Sequence, residues 1–214
     1  MARSDFTFAD LHLVTDDRLL APRAWTQLQS AWAADLLSQV PEGPVLELCA
    51  GAGHIGLAAL RQSERRLVAV DREPVAADTI CENAERVGMA SRVEVRCGEL
   101  SQVVEPGECF ALVIADPPWV PTSRIGRFPE DPRGAIDGGD DGLAVAQQCV
   151  AVIAEHLLPW GAALLQLGTR DQVGALDLPA GLVVVEVREY PRGVLARLVP
   201  AGGDQVSCAA GPSR

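Results

Sequence analysis

Lysine is missing from this chain of 214 residues: all eighteen basic side chains are arginines, set against 29 acidic ones, for a formal net charge of −11. The arginine bias reads as genome composition. The negative charge excludes more, because an acidic surface repels phosphate backbones and nonspecific nucleic-acid binding rests on basic contacts that displace counterions. No C-x-x-C pair occurs among the six cysteines, at positions 49, 81, 97, 109, 149 and 208, and the three histidines lie far from them in sequence, so a zinc site is not expected. Most of the cysteines are expected to behave as small buried side chains in a reducing compartment. No stretch approaches the roughly twenty apolar residues of a membrane span, and the N-terminus leads to no apolar run that would read as a secretory signal. A cytoplasmic chain is expected, without a membrane partner. There is no internal repeat and no recognisable nucleic-acid module.

What is present suits one catalytic domain. The length and 48% apolar composition allow a full core. An amphipathic helix is expected over 25–37, and the break Pro41-Glu42-Gly43-Pro44 follows it. Strands read over 45–48, 67–70, 92–96, 110–115, 162–167, 182–189 and 194–199, with helices over 55–61, 74–87, 143–157 and 171–176. Such alternation predicts an α/β doubly wound, mostly parallel sheet with ligands at the carboxyl ends of its strands. Tyr190-Pro191-Arg192-Gly193 reads as the turn of an antiparallel hairpin. Residues 1–43 are taken as a helical extension with a cofactor-proximal segment, 44–200 as the catalytic domain, and 201–214 as a disordered tail.

Two motifs carry the chemistry. Asp116-Pro117-Pro118-Trp119-Val120-Pro121-Thr122 follows the apolar strand 110–115, so a carboxylate, two rigid prolines and an indole stand where a buried strand surfaces. The prolines have no N–H, and the carbonyls of Asp116 and Pro117 stay free to accept from a guest. A planar –NH2 group fits, bonded to the Asp116 side chain and a carbonyl while the Trp119 ring covers its face. The second motif is Glu47-Leu48-Cys49-Ala50-Gly51-Ala52-Gly53-His54-Ile55-Gly56, a strand ending in a glycine turn at a helix start, where bare backbone N–H groups meet a ligand. Asp71 ends the next strand about twenty residues on, where a carboxylate can bind both hydroxyls of a ribose. Glu47 stands where nicotinamide-binding fingerprints carry an apolar residue, and suits a cofactor bearing an ammonium group.

These residues resemble class I S-adenosylmethionine-dependent methyltransferases, and within them the glutamine-amide methyltransferases that modify peptide-chain release factors. Val120-Pro121 matches the continuation of that family's tetrapeptide. The stretch Ala135-Ile136-Asp137-Gly138-Gly139-Asp140-Asp141-Gly142-Leu143 is similar to its acidic, glycine-rich segment, and Val14 to Arg23 to its cofactor-proximal segment ending in proline-arginine. The resemblance implies a Rossmann-like sheet of seven strands and S-adenosyl-L-methionine as cofactor. It implies a cofactor site of Glu47, Cys49, Ala50, Gly51, Gly53, Asp71, Arg72, Glu99 and Asp116, catalysis by Asp116, Pro117, Pro118 and Trp119, and no metal. The acceptor it implies is a protein or peptide glutamine amide, with a small molecule also open. Asp116 replaces the family's usual asparagine, and the Asp-Pro-Pro-aromatic version resembles the enzymes that methylate the exocyclic amine of adenine. That nucleic-acid alternative stays open, as does a catalytically silent methyltransferase fold serving as a binding subunit.

Several residues have plainer readings. His54 is expected to pack at the helix start, and Gln166 to be a satisfied core amide. Asp137, Asp140 and Asp141 lack calcium-site spacing, and a helix cap before Leu143 accounts for at least one. The arginines between Arg124 and Arg133 read as a solvated loop. The length of 120–140, with little regular pattern, suggests a lid that selects the acceptor.

Overall fold

The computed structural model describes residues 2–202. The central sheet has seven strands: β3 (Val45–Leu48), β4 (Leu67–Asp71), β5 (Val93–Cys97), β6 (Phe110–Ala115), β7 (Leu157–Leu167), β8 (Leu182–Tyr190) and β9 (Gly193–Pro200). Their order is β5-β4-β3-β6-β7-β9-β8. The pairs β5–β4, β4–β3, β3–β6 and β6–β7 are parallel, while β7–β9 and β9–β8 are antiparallel. The strand order reverses between β3 and β6, which opens a crevice beyond their carboxyl ends. Both strands are fully buried, as parallel strands covered on both faces must be.

Helices α1 (Gln27–Leu36), α2 (His54–Ala59) and α3 (Pro74–Arg86) cover one face. Their Trp32, Leu36, Ile55, Leu57 and Ile80 join Val45, Leu67, Leu112, Ile114 and Leu164 in one core cluster. The short α4 (Leu100–Val103) and the longer α6 (Ala144–His156) cover the other, where Val150 and Ile153 pack with Leu46, Val70, Val113 and Leu165. The one-turn α5 (Arg133–Ile136) and the short α7 (Arg170–Gly174) stand beyond the strand ends.

The N-terminal region departs from the purely helical expectation. Before α1 lies a hairpin of β1 (Arg3–Phe8) and β2 (Leu11–Asp16), with Phe8 opposite Leu11 across a two-residue loop. Both loop residues have positive φ, 47° at Ala9 and 66° at Asp10. This geometry favours Asn-Gly, and Ala-Asp sends no such signal. Phe8, Leu11 and Leu13 pack into the same cluster as α1 and the sheet, and the buried Asn83 side chain bonds the Val14 N–H at 2.8 Å and carbonyl at 2.9 Å. Trp25 falls in a 3-10 turn over Ala24–Thr26, ahead of α1. Strand β7 starts at Leu157 rather than at 162, with a register shift opposite Phe110 and Leu112. Cys149 is buried as expected, but Cys81 and Cys97 are exposed. The tail expected over 201–214 lies, beyond Gly202, outside the described residues. Among the described residues no helix is long and apolar enough to cross a membrane.

Candidate active site

Strand β3 delivers Glu47 to the α2 face, because side chains alternate and Val45 already points there. The carboxyl is 2% exposed. Its Oε1 accepts the Gly56 N–H at 3.0 Å, and Oε2 is buried without a partner. A Cβ on Gly56 would strike Oε2 and the carboxyl carbon, so only glycine lets helix and carboxyl approach this closely. Burial pushes the Glu47 carboxyl up to about 8, the Gly56 N–H opposes this, and the nearby charges of Asp116 and Asp71 add to it. The chain then turns through left-handed residues, with φ of 57° at Cys49, 54° at Gly51 and 73° at Gly53. Cys49 holds that conformation without glycine's freedom, and its thiol, hydrogen-bonded to Cys149, is raised well above the usual range.

Asp71 ends β4 beside this turn. Its Oδ2 accepts the Gly51 N–H at 2.8 Å and its Oδ1 the Glu73 N–H at 3.0 Å. These bonds fix the carboxylate and leave further lone pairs toward the cavity, while burial raises its pKa. Across the reversal point, Asp116 follows Ile114 on the same face, and burial holds its carboxyl up to about 7. At neutral pH a large fraction is therefore carboxylic acid, which donates one O–H and still accepts, as an asparagine amide does. Cys49, Ala50, Gly51, Asp71 and Asp116 line one cavity of about 300 Å³. Its opposite walls come from Arg18 to Arg23 and from Pro132, Gly134 and Ala135. Arg23 pairs with Asp131, which joins the two walls, and Arg72 Nη2, beside Asp71, donates to the Gly134 carbonyl at 3.0 Å.

The chain is similar to several known proteins. A family model described as conserved hypothetical protein 95 matches residues 26–126. The release factor glutamine methyltransferase of Deinococcus radiodurans is 35% identical over 168 residues, covering 75% of this chain and 58% of that protein. The chain thus spans less than two thirds of that relative's length. Among solved structures, the hMettl16 catalytic domain in complex with MAT2A 3′UTR hairpin 1 superposes with a TM-score of 0.69 at 13% identity, covering 95% of this chain and 79% of that one. An RNA methyltransferase from Salinibacter ruber in complex with S-adenosyl-L-homocysteine gives 0.55 at 16% identity, covering 87% and 95%. The chain has the fold of these methyltransferase structures.

Within this methyltransferase fold the expected residues divide into two groups. Cys49, Ala50, Gly51, Asp71, Arg72, Glu99, Asp116 and Pro118 line the cavity. Glu47, Gly53, Pro117 and Trp119 do not. Glu47 lies buried against the Gly56 N–H behind the turn, and Gly53 packs close to Ile80. The Trp119 ring lies against Gly168, where a Cβ would overlap ring carbons, and its carbonyl accepts from Gln172 Nε2 at 2.9 Å. The indole is therefore part of the wall behind Asp116, not a cover over the cavity.

The stretch expected to be irregular is bonded to itself. Val120 bridges Asp137, Thr122 Oγ1 donates to Asp137 Oδ1 at 2.7 Å, and a 3-10 turn covers Thr122–Arg127. Asp137 and Asp141 are occupied by such bonds, the latter accepting the Leu143 N–H at 2.8 Å. Among the described residues no group of three or more His, Cys, Asp and Glu side chains is placed to hold a metal ion. His54 both packs and lines the cavity: Phe8 meets its ring edge-on at 4.8 Å, and burial lowers its pKa to about 4. Gln166 is buried, and its Nε2 donates to the Leu167 carbonyl at 3.1 Å. Thr26, Val145 and Gln148 also line the cavity, and only their tertiary neighbours reveal this.

Proposed function

We propose that this chain is an S-adenosyl-L-methionine-dependent N-methyltransferase whose acceptor is a planar nitrogen, a glutamine side-chain amide of a protein or peptide. The observation that carries the reading is Asp116, a largely buried carboxyl on the same cavity as the glycine turn and Asp71, poised near neutrality. The residues fit the cofactor. The buried, partnerless Oε2 of Glu47 matches a site completed by a cation, the open space over Gly51 leaves room against bare backbone, and Asp71 is fixed for a ribose diol. When bound, the cofactor supplies an activated methyl group, so the protein has mainly to orient the acceptor.

Asp116 does this by accepting an N–H of the acceptor, which returns electron density to a nitrogen whose lone pair is delocalised and favours its pyramidal geometry. As the nitrogen gains carbon it loses one proton, for which the Asp116 carboxylate is a base of matched pKa. An adenine amine is the second reading. It is favoured by aspartate standing where the glutamine enzymes carry asparagine, and disfavoured by the net charge of −11. Incubation with labelled-methyl cofactor against fractionated protein, RNA and metabolite pools separates the two. Label in protein, released as N-methylglutamine on digestion, is the expected result, and label confined to RNA would transfer the assignment to adenine.

A further inference from the structure

Helix α1 carries a residue that its periodicity does not explain. Positions 29, 32, 33 and 36 form the stripe facing the sheet, and Trp32, Ala33 and Leu36 are apolar as a core stripe requires. The fourth is Gln29, which is 0% exposed. Its Nε2 donates to the Ala115 carbonyl at 3.0 Å, and its Oε1 is buried with no partner. The orientation is fixed, because only the –NH2 end can donate to a carbonyl. A core glutamine with one unsatisfied oxygen is a local liability, and where a chain breaks its apolar pattern at such a cost a functional constraint is the first explanation to test.

The bonded atom says what that constraint is. Ala115 is the last residue of β6, and its carbonyl belongs to the peptide group that leads into Asp116. The Asp116 N–H reaches only the Leu48 carbonyl, at 3.5 Å, a loose end to a parallel ladder. Pro117 and Pro118 offer no N–H to hold the segment after it. We propose that Gln29 is a positioning residue that ties α1 to the Ala115–Asp116 peptide and fixes the direction in which Asp116 projects into the cavity. The unsatisfied Oε1 is then the stability given up for that tether. The inference rests on Asp116 being the acceptor's anchor, and it extends that role to a helix that does not line the cavity.

Gln29→Met tests it, since methionine fills the same core volume, removes the orphan oxygen and cannot donate. The full chain should keep its melting temperature or gain slightly and bind S-adenosyl-L-homocysteine within about twofold of wild type, as expected for a change away from the cofactor cavity. Hydrogen exchange at the Asp116 amide should quicken by about tenfold or more as that strand end loosens. For any acceptor that the wild-type chain methylates, kcat should drop roughly tenfold to a hundredfold with little change in KM, the signature of a misaimed anchor. Gln29→Asn, which keeps the chemistry but is too short to reach, should match it in Asp116 exchange and in kcat while melting lower, because its amide is then buried without a partner. Unchanged Asp116 exchange with an unchanged melting temperature would overturn the inference, and so would a collapse of stability in both variants. If the wild-type chain methylates nothing, the proposed function fails, while the exchange and binding measurements still decide this point.

Discussion

Glu47→Gln should reverse its effect on stability with pH. In the folded chain the Glu47 carboxyl is raised from 4.5 to about 8, chiefly by burial. Because the folded-state pKa lies above the unfolded one, the unfolded chain binds fewer protons between these values. Stability is therefore greatest below the unfolded pKa, falls as pH rises through the window from 4.5 to about 8, and levels off above it. A shift of this size corresponds to a loss of about 3–4 kcal/mol between pH 5 and 8 from this one group. A carboxamide cannot ionise, and its oxygen can still take the Gly56 N–H, but its –NH2 would occupy the place where Oε2 has no partner, at a cost of about 1–3 kcal/mol. The variant should thus be the less stable chain at pH 5 and the more stable one at pH 8 and above, by about 2 kcal/mol in either direction. Urea unfolding of both chains at fixed ionic strength, from pH 5 to 8.5 and followed by tryptophan fluorescence, measures the difference directly. Asp116 also titrates in this range, but it is present in both chains and cancels except through its coupling to Glu47. A difference that stays flat across the range would show that Glu47 titrates alike folded and unfolded, and the argument for a buried, cation-seeking carboxylate beneath the glycine turn would fail.

Three further outcomes follow from the same geometry. Asp71→Ala should weaken S-adenosyl-L-methionine binding by on the order of 1.5–3 kcal/mol, and calorimetry in which the wild-type chain takes NAD but not S-adenosyl-L-methionine would show the glycine turn to be misread. Asp116→Ala should lower kcat by roughly 10²–10³ with cofactor affinity nearly unchanged, whereas Asp116→Asn, restoring a donor–acceptor pair, should retain much more; full activity in the alanine variant would remove Asp116 from the mechanism. Acceptor affinity should depend weakly on salt, and a Kd that climbs about a hundredfold between low and moderate salt would favour a nucleic-acid acceptor over a peptide.

What could be read from the sequence alone was whatever a single strand and the turn after it determine. Strands β4 and β6 are apolar runs, and β3 is one but for Glu47, because both faces are covered, and the residues that end them, Cys49 to Gly51, Asp71 and Asp116, meet on one cavity because the strand order reverses between β3 and β6. The parts that stayed hidden depend on partners far along the chain. The Ala9-Asp10 hairpin relies on left-handed backbone that neither residue advertises. The segment after the tetrapeptide looked irregular because Thr122, Asp137 and Gly139 order it by bonds across fifteen residues and more, not by local propensity.

Trp119 shows how the gap between sequence and structure alters a mechanism. An indole after two prolines suggests a ring stacked on the acceptor, and nothing within the motif says otherwise. The deciding residue is Gly168, at the end of the adjacent β7, whose missing side chain leaves the hollow that the ring fills. With the indole held there, the acceptor's face must be met by something else, and α1 and the turn that precedes it lie on Asp116's own side of the sheet. That side carries Gln29 on the Ala115 carbonyl and Trp25 flanked by Arg23 and Arg192, with guanidinium to ring distances of 5.7 and 5.6 Å. The prediction is that Trp25, which does not line the cavity, helps to select the acceptor, so that Trp25→Ala should change acceptor preference while cofactor binding, measured by calorimetry, stays as in wild type.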